Sequence, residues 1–256
     1  EDYTSTAPGY GRYHDIVKCK RCGLIYMNPR DARIGELYGE VVDYPYLESW
    51  HERAATFRDH LKVRTKYKPA GDLLDIGCYA GIFLEEAQKT GHRVAGVEAS
   101  RWASEYAREK TGAHIAIGRC EDVSFPEDSF DMVTLWDVVE HLEDPISCFR
   151  KVHDWLRPGG ITAVTTHDIG SLVARLMGKK YPWLMRFHLY HFTPETLGAL
   201  MERAGLKPIA VKYYVKTFSL RYILSRFGLN LKANLLDKLK IPIPTRDMFM
   251  IIAEKK

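Results

Sequence analysis

The segment from Leu73 to Leu84, LLDIGCYAGIFL, most constrains how this chain can fold. It opens with an apolar run that ends in Asp75, as a buried parallel strand does, and passes through Gly77 and Gly81 into a helical pattern. The glycines let the backbone adopt positive φ and approach a ligand closely, and the free N–H groups of the first helical turn favour electron-rich groups. The sequence therefore predicts a strand–turn–helix unit that holds a nucleotide-like cofactor.

Composition indicates one large globular unit. The chain has 256 residues, 46% of them hydrophobic, which is enough for one main core with appendages. It contains no run of eighteen apolar residues and no leader-like succession, so we expect a cytoplasmic protein; the chain begins at Glu1, and upstream sequence stays open. The net charge of +4 favours acidic partners only weakly.

The five cysteines have irregular spacing. Cys78, Cys120 and Cys148 lie in apolar segments. This pattern predicts buried thiols of a reducing compartment and not a disulfide framework.

Residues 1–30 contain a Cys-x-x-Cys knuckle, Cys19 and Cys22, between two short strand-like runs. A structural zinc needs four ligands, and this knuckle supplies two, to which His14 could add a third. Two interpretations stay open: half of a zinc ribbon whose other cysteine pair lay upstream, or two reduced cysteines in a hairpin without metal. With two thiols present, we expect no well-ordered zinc.

Residues 31–70 are predicted to form a helical cap. Between positions 47 and 67, apolar side chains recur every three or four residues, which is typical of one face of an amphipathic helix. Such a helix, just before the first core strand, could cover the cofactor turn or could simply pack on the core.

From Asp72 onward, strand-like and helical patterns alternate, which predicts an open, mainly parallel, doubly wound α/β sheet with helices on both faces. The second predicted strand, residues 92–97, is followed by Glu98. An acid at this position can accept hydrogen bonds from both hydroxyls of a ribose. The alternative role for Glu98 is to cap the helix that begins near Ser100.

Several segments occur in an order that resembles a known family. They are DIGCYAG (75–81), VEAS (97–100), FDMV (130–133), VEHL (139–142) and RPGG (157–160). Together they resemble the class I S-adenosylmethionine-dependent methyltransferases, most strongly over residues 71–170. The resemblance implies a Rossmann-like, seven-stranded core over residues 71–256. The Cys-x-x-Cys start and the His-x-x-x-Phe-Thr-Pro segment resemble the branch with an N-terminal zinc-ribbon-like piece, many of whose members act on small molecules, sugars or lipids.

The resemblance also implies the cofactor site. Asp75, Gly77 and Gly81 would frame the methionine end of the cofactor, and Glu98 would hold the ribose. Arg119 stands where the family often has an Asp that contacts adenine, so the Cys120 amide and the Glu121 carboxylate become the candidates. The predicted cofactor-binding set is Asp75, Gly77, Cys78, Tyr79, Gly81, Glu98, Ala99, Cys120, Glu121, Trp136 and Asp137. The predicted cofactor is S-adenosyl-L-methionine, with S-adenosyl-L-homocysteine as product.

Tyr79 departs from the family pattern, in which glycine is common at this position. Its side chain could line the cofactor pocket or cover the turn.

The strand at residues 131–135 delivers Glu140 and His141 to the carboxyl edge of the sheet, where such sheets bind ligands. Methyl transfer from a sulfonium depends mainly on in-line positioning, and a base matters only if the acceptor is a hydroxyl. Imidazole titrates near neutrality, so His141 is a candidate base. The alternative is that the Glu-His pair only shapes the pocket.

Residues 167–192 are rich in aromatic and His residues and precede a strong helix start at Thr193-Pro194. A long connector at this edge of the sheet is typical of an active-site lid. His188 and His191 could orient an acceptor or act as base, or could form hydrogen bonds within the lid. The predicted catalytic set is therefore His141, His188, His191 and Glu140.

We assign no metal ligands from the sequence, but one alternative stays open. Asp137, Glu140 and His141 resemble the Glu-x-x-Glu-His cluster that binds a divalent metal in small-RNA terminal 2′-O-methyltransferases. With His167 they could hold Mg²⁺ or a similar ion.

Residues 217–246 are basic and apolar and look like an insertion between the last two core strands. They could contact an anionic membrane or a lipid-linked acceptor, or form a flap packed on the domain or on a second copy. Nucleic acid is not an expected partner.

The function expected from these observations is methyl transfer from S-adenosylmethionine to a small-molecule, sugar or lipid-like acceptor, at oxygen with a His base. The alternatives are a metal-assisted RNA 2′-O-methyltransferase and a cofactor-binding protein without transfer activity.

Overall fold

The computed structural model describes residues 15–29, 39, 42, 44–65, 67, 70–214, 216–219, 240–243 and 245–256. The strands within these ranges are β1 (Ile16–Lys18), β2 (Ile25–Met27), β3 (Asp72–Ile76), β4 (Arg93–Glu98), β5 (His114–Ile117), β6 (Phe130–Trp136), β7 (Leu156–His167), β8 (Tyr190–His191), β9 (Leu206–Tyr213), β10 (Lys216–Ser219), β11 (Lys240–Ile243) and β12 (Met248–Lys255). The α-helices are α1 (Tyr44–Glu48), α2 (Trp50–Thr65), α3 (Ile82–Lys89), α4 (Arg101–Thr111), α5 (Pro145–Trp155), α6 (Leu172–Met177) and α7 (Pro194–Arg203).

The main sheet has seven strands in the order β5-β4-β3-β6-β7-β12-β9. The pairs from β5 to β7 are parallel, and β12 runs antiparallel to both β7 and β9. The first core strand, β3, therefore lies in the interior of the sheet, with β4 on one side and β6 on the other. The predicted mainly parallel, doubly wound sheet is confirmed.

Both faces of the sheet are covered, because successive side chains of a strand point to opposite faces. Leu73 packs in a cluster with Phe83 of α3 and Ala107 of α4, whereas Leu74 packs with Phe149 of α5 and Leu197 of α7. Leu73 and Leu74 have no exposed surface, as expected for a central strand buried on both sides.

Helix α7 begins and ends where the sequence predicts. The Thr193 side chain accepts a hydrogen bond from the Thr196 N–H, Pro194 occupies the first helical position, and Gly205 after the helix has a φ of 87°. The predicted helix at residues 47–67 is interrupted, since α1 ends before Ser49 and α2 starts at Trp50. The buried face of α2 includes Ala54 and Leu61, as the apolar spacing predicts.

The Cys-x-x-Cys knuckle connects two antiparallel strands, β1 and β2. Strand β2 also pairs with β8, with Ile25 opposite His191 and Tyr26 opposite Tyr190. The N-terminal hairpin is thereby joined to the segment that carries the lid histidines. Cys19 and Cys22 are free thiols, and His14 lies outside the described residues.

Two of the three cysteines expected to be buried thiols are instead joined. Cys120 and Cys148 form a disulfide, with Cα atoms 5.7 Å apart, whereas Cys78 is free and buried. The prediction was wrong for this pair because the loop after β5 packs on α5, a contact between residues 28 positions apart that sequence spacing does not reveal.

Only the ends of the predicted insertion at 217–246 are described. Strands β10 and β11 pair antiparallel in a separate two-stranded sheet, and residues 220–239 lie outside the described residues. The domain limits at 1–30, 31–70 and 71–256 remain predictions. Among the described residues, no helix is long and apolar enough to cross a membrane.

A thiol count tests the cysteine pairing. Titration of the denatured, unreduced protein should give three thiols, from Cys19, Cys22 and Cys78, and titration after reduction should give five. Reduction should also lower the free energy of unfolding by about 3 kcal/mol, because the reduced chain regains the entropy of an open loop. Five thiols without reductant would contradict the pairing.

Candidate active site

The glycine turn between β3 and α3 is held against β4. The N–H groups of Gly77 and Cys78 both donate to the Val97 carbonyl, at 2.8 and 3.1 Å. Gly77 has a φ of 71°, and a Cβ at this position would lie 2.5 Å from Val138 Cγ2. A side chain is therefore excluded twice, by backbone conformation and by the chain that follows β6.

Glu98 lies at the carboxyl end of β4 and is almost fully buried. Its carboxylate accepts the backbone N–H of Tyr79 from the glycine turn and that of Ser100 from the start of α4, each at 2.8 Å. Burial raises the pKa of this carboxyl, and the backbone N–H groups oppose the shift. Each carboxylate oxygen keeps a second lone pair, so these contacts are compatible with the predicted ribose role of Glu98.

Tyr79 has the left-handed conformation that favours glycine, with a φ of 46°. Its ring packs edge-to-face on Tyr46 of α1, with centroids 4.5 Å apart, and lies 6.1 Å from the ring of Trp102. The helical segment before the sheet therefore does contact the cofactor turn.

Tyr46 is a residue that the sequence reasoning missed. Burial raises the pKa of its phenol to about 12; the nearby Arg53 opposes this shift, whereas Asp75, Asp137 and Glu98 add to it. Arg53 lies over the ring, 3.6 Å from its centroid. The neutral hydroxyl is thus surrounded by the acids at the carboxyl edge of the sheet. The residues next to Tyr46 in the sequence match no motif, so its position beside the glycine turn is evident only from the folded structure.

The loop predicted to border adenine is fixed by α5. Lys151 donates hydrogen bonds to the carbonyls of Cys120, Glu121 and Val123. The Glu121 carboxylate accepts the Asp144 N–H at 3.3 Å. Arg119 pairs with Asp122 and Glu143, so its side chain is directed to the surface and not to the pocket.

The end of β6 supplies Trp136 and Asp137. Asp137 has a φ of 55°, and its carboxylate accepts the Thr165 hydroxyl at 2.8 Å. The Trp136 ring packs edge-to-face on Phe83 of α3, with centroids 4.9 Å apart. The Asp75 carboxylate, at the end of β3, similarly accepts the Thr134 hydroxyl at 2.6 Å.

The four residues of the predicted catalytic set come together on the other side of this edge. The rings of His141 and His188 have centroids 4.8 Å apart, and His191 lies 6.2 Å from His188. Glu140 is 2% exposed, and its backbone carbonyl accepts the Leu189 N–H at 2.8 Å. His167 belongs to the same group, with Nδ1 3.7 Å from Glu140 Oε1.

His141, His167, His188 and His191 together form what we call the histidine cluster. Burial lowers the pKa of His191 to about 4, with a contribution from His167, and lowers that of His188 well below the ordinary value. Burial also raises the pKa of the Glu140 carboxyl. His188 and His191 are therefore neutral near pH 7 and can accept a proton or a metal ion through a ring nitrogen.

The chain matches known proteins. A family model described as a methyltransferase domain matches residues 49–211. The ubiquinone biosynthesis O-methyltransferase of Ruegeria pomeroyi is 34% identical over 155 residues, which cover 56% of this chain and 62% of that protein. The protein of the same name from Dinoroseobacter shibae is 33% identical over 171 residues, 62% of this chain and 68% of that one.

A solved structure shows the same fold. A SAM-dependent methyltransferase of Thermotoga maritima, described as a possible histamine N-methyltransferase, aligns with a TM-score of 0.57. It is 22% identical and covers 83% of this chain and 96% of its own. The chain spans about six-tenths of the length of the Ruegeria protein that it matches.

A substitution at Glu98 tests the ribose site. Glu98→Gln places an amide against two backbone N–H donors and removes the charge, so affinity for S-adenosylhomocysteine should fall by about 10- to 100-fold in calorimetry. Glu105→Gln, at an exposed position of α4, is the matched control and should bind normally. Equal affinity of both variants would contradict the assignment.

A second substitution tests the contact from α1. Tyr46→Ala removes the ring that packs on Tyr79 and should weaken cofactor binding by about tenfold. Tyr44→Ala changes a Tyr on the same helix that is 63% exposed, and should have little effect. If both variants bound as the unaltered protein does, Tyr46 would not belong to the site.

Proposed function

We propose that this chain, which belongs to the methyltransferase domain family, methylates a hydroxyl oxygen of a small acceptor. Its family and its fold imply S-adenosylmethionine as the cofactor. The glycine turn and Glu98 would hold this cofactor, which supplies the methyl group when bound. Asp137, at the end of β6, begins the segment that leads to the histidine cluster.

The observation that carries this proposal is the cluster of imidazoles at the carboxyl edge of the sheet, where His167 ends β7 and His141 follows β6. A neutral amine can attack a sulfonium methyl without losing a proton first, whereas a hydroxyl is a poor nucleophile until its proton is removed. The neutral imidazoles of His188 and His191 are therefore suited to oxygen acceptors. The names of the Ruegeria and Dinoroseobacter relatives, both O-methyltransferases, agree with this choice.

We assign the base to His191. Its Nε2 is buried and has no hydrogen-bond partner within the described part of the chain, and its neutral ring can accept a proton. In the transfer step, the acceptor oxygen forms a bond to the methyl carbon as the carbon–sulfur bond breaks. The hydroxyl proton passes to His191, and S-adenosylhomocysteine leaves with the electron pair on sulfur.

Aromatic rings near the end of β6 support an apolar acceptor. The His60 ring of α2 has its centroid 4.7 Å from that of Trp136 and 4.7 Å from that of Tyr214, which follows β9. Such walls suit an apolar or ring-containing acceptor better than a free sugar. We further propose a cytoplasmic location. The predicted membrane contact through residues 217–246 stays a prediction, because most of that segment lies outside the described residues.

Activity measurements with matched variants test the base. In a screen of phenolic and lipid-like hydroxyl compounds, turnover is followed by release of S-adenosylhomocysteine. With the acceptor so found, His191→Gln should lower kcat by about 10²- to 10⁴-fold while leaving cofactor affinity unchanged. His114→Gln, exposed on β5, serves as control. An unchanged kcat for His191→Gln would exclude this base, and methylation of amines alone would exclude oxygen as acceptor atom.

A further inference from the structure

We propose that Glu140, His141 and His188 form a transition-metal site with one carboxylate and two imidazole ligands. The ligand atoms of these three residues all lie within 4.8 Å of one another. The proposal differs from the set of two carboxylates and two imidazoles that the sequence suggested, because His188 replaces Asp137 and His167. Metal binding stands independently of the proposed function, and only its use in catalysis rests on that function.

Backbone carbonyls orient both imidazoles for binding. His141 Nδ1 lies 2.8 Å from the Phe187 oxygen, and His188 Nδ1 lies 2.9 Å from the Trp183 oxygen. Because a carbonyl oxygen only accepts, each Nδ1 carries the proton, and in a neutral ring the lone pair is then on Nε2. Metal-bound histidines in proteins are commonly held in this way, since the second nitrogen fixes the ring and its tautomer.

Glu140 supplies the negative charge. Its carboxylate is buried, and neither oxygen has a hydrogen-bond partner of good geometry within the described residues. A buried carboxylate without such partners is costly, whereas an ion bound between it and two imidazoles would compensate the charge. The Leu189 N–H donates a hydrogen bond to the Glu140 backbone carbonyl. Because His188 directly precedes Leu189, this bond keeps the Glu140 and His188 side chains near each other.

The other two residues of the sequence-based set are engaged differently. The Asp137 carboxylate accepts the Thr165 hydroxyl. The His167 ring stacks on Trp183, with centroids 3.8 Å apart, and faces the Glu140 carboxylate with Nδ1. His167 is thus placed to orient Glu140, while the ligand set consists of Glu140, His141 and His188.

The ligand types select the ion. Imidazole suits Zn²⁺, Fe²⁺, Co²⁺ and Ni²⁺, whereas Mg²⁺ requires oxygen ligands and near-octahedral geometry. Metal–ligand bonds of about 2.0 to 2.2 Å place two ligand atoms at most about 4.4 Å apart, so the three residues need to close only slightly. Three protein ligands leave coordination positions for water or for an acceptor oxygen.

In the proposed transfer, the bound ion would take the acceptor hydroxyl as a further ligand and make its proton more acidic. His191 is outside the ligand set and remains able to accept that proton. Metal and base therefore occupy different residues of the histidine cluster.

The test uses the full chain with Cys19→Ser and Cys22→Ser, so that the thiol knuckle cannot bind the probe. After dialysis against a chelator, Co²⁺ is added and its visible absorption is followed, with Zn²⁺ and Mg²⁺ as competitors. We expect one Co²⁺ per chain, displaced by Zn²⁺ but not by Mg²⁺ at equal concentration, with no sulfur-to-metal charge-transfer band.

Variants locate the ion. His141→Ala and Glu140→Gln should each weaken Co²⁺ binding by at least about 100-fold, and His114→Ala should leave it unchanged. Calorimetry with S-adenosylhomocysteine confirms that each variant is folded, because the cofactor turn is on other residues. Glu140→Gln keeps the size of the side chain, and His141→Ala alters a residue that is only half-buried, so both variants should fold.

The possible results separate the two proposals. Co²⁺ binding that is lost in both variants supports the site even if no acceptor is ever methylated. No Co²⁺ binding by the folded chain, or binding that persists in both variants, overturns it. Equal competition by Mg²⁺ would contradict the assignment of imidazole ligands.

Discussion

The contact between Gly77 and Val138 is the constraint on which the site depends. Gly77 ends the first core strand, and Val138 follows the neighbouring strand β6; a Cβ on residue 77 would meet the Val138 side chain at 2.5 Å. Because Gly77 has no side chain, the turn after β3 and the segment after β6 can approach each other at the carboxyl edge of the sheet. The glycine turn and the segment that begins the histidine cluster are therefore adjacent, as the proposed methyl transfer requires.

The second constraint is the way in which residues 167–192, the predicted lid, are anchored. The Leu189 N–H donates to the Glu140 carbonyl, and the Leu189 carbonyl accepts the Met27 N–H of the N-terminal hairpin at 2.9 Å. Residues 188–191 are thus held between the segment that follows β6 and strand β2. The N-terminal hairpin therefore supports the segment that carries His188 and His191, whether or not its two cysteines bind metal.

Patterns within short stretches of the sequence were sufficient to predict the main strands, turns and helix starts around the site. The glycine turn, the acid after the second strand and the Thr193-Pro194 helix start are each set within a few residues, and the structure places them in β3–α3, at the end of β4 and at the start of α7. Contacts between distant residues could not be read in this way. The Cys120–Cys148 bond, the position of Tyr46 over the turn, and the pairing of His141 with the Phe187 carbonyl 46 residues away arise from packing alone. The sequence predicted the histidines as candidates, but only the fold shows which nitrogen each one presents.

The central claim is that the sulfonium methyl group passes to oxygen, and the most direct measurement follows the carbon itself. S-adenosylmethionine labelled with ¹³C in the methyl group is incubated with the protein and a hydroxyl-bearing acceptor, and the product is examined by carbon NMR. The account predicts one labelled resonance in the methyl ether region. Label that stays on the cofactor for every acceptor, or a product resonance of an N-methyl or C-methyl group, would contradict it.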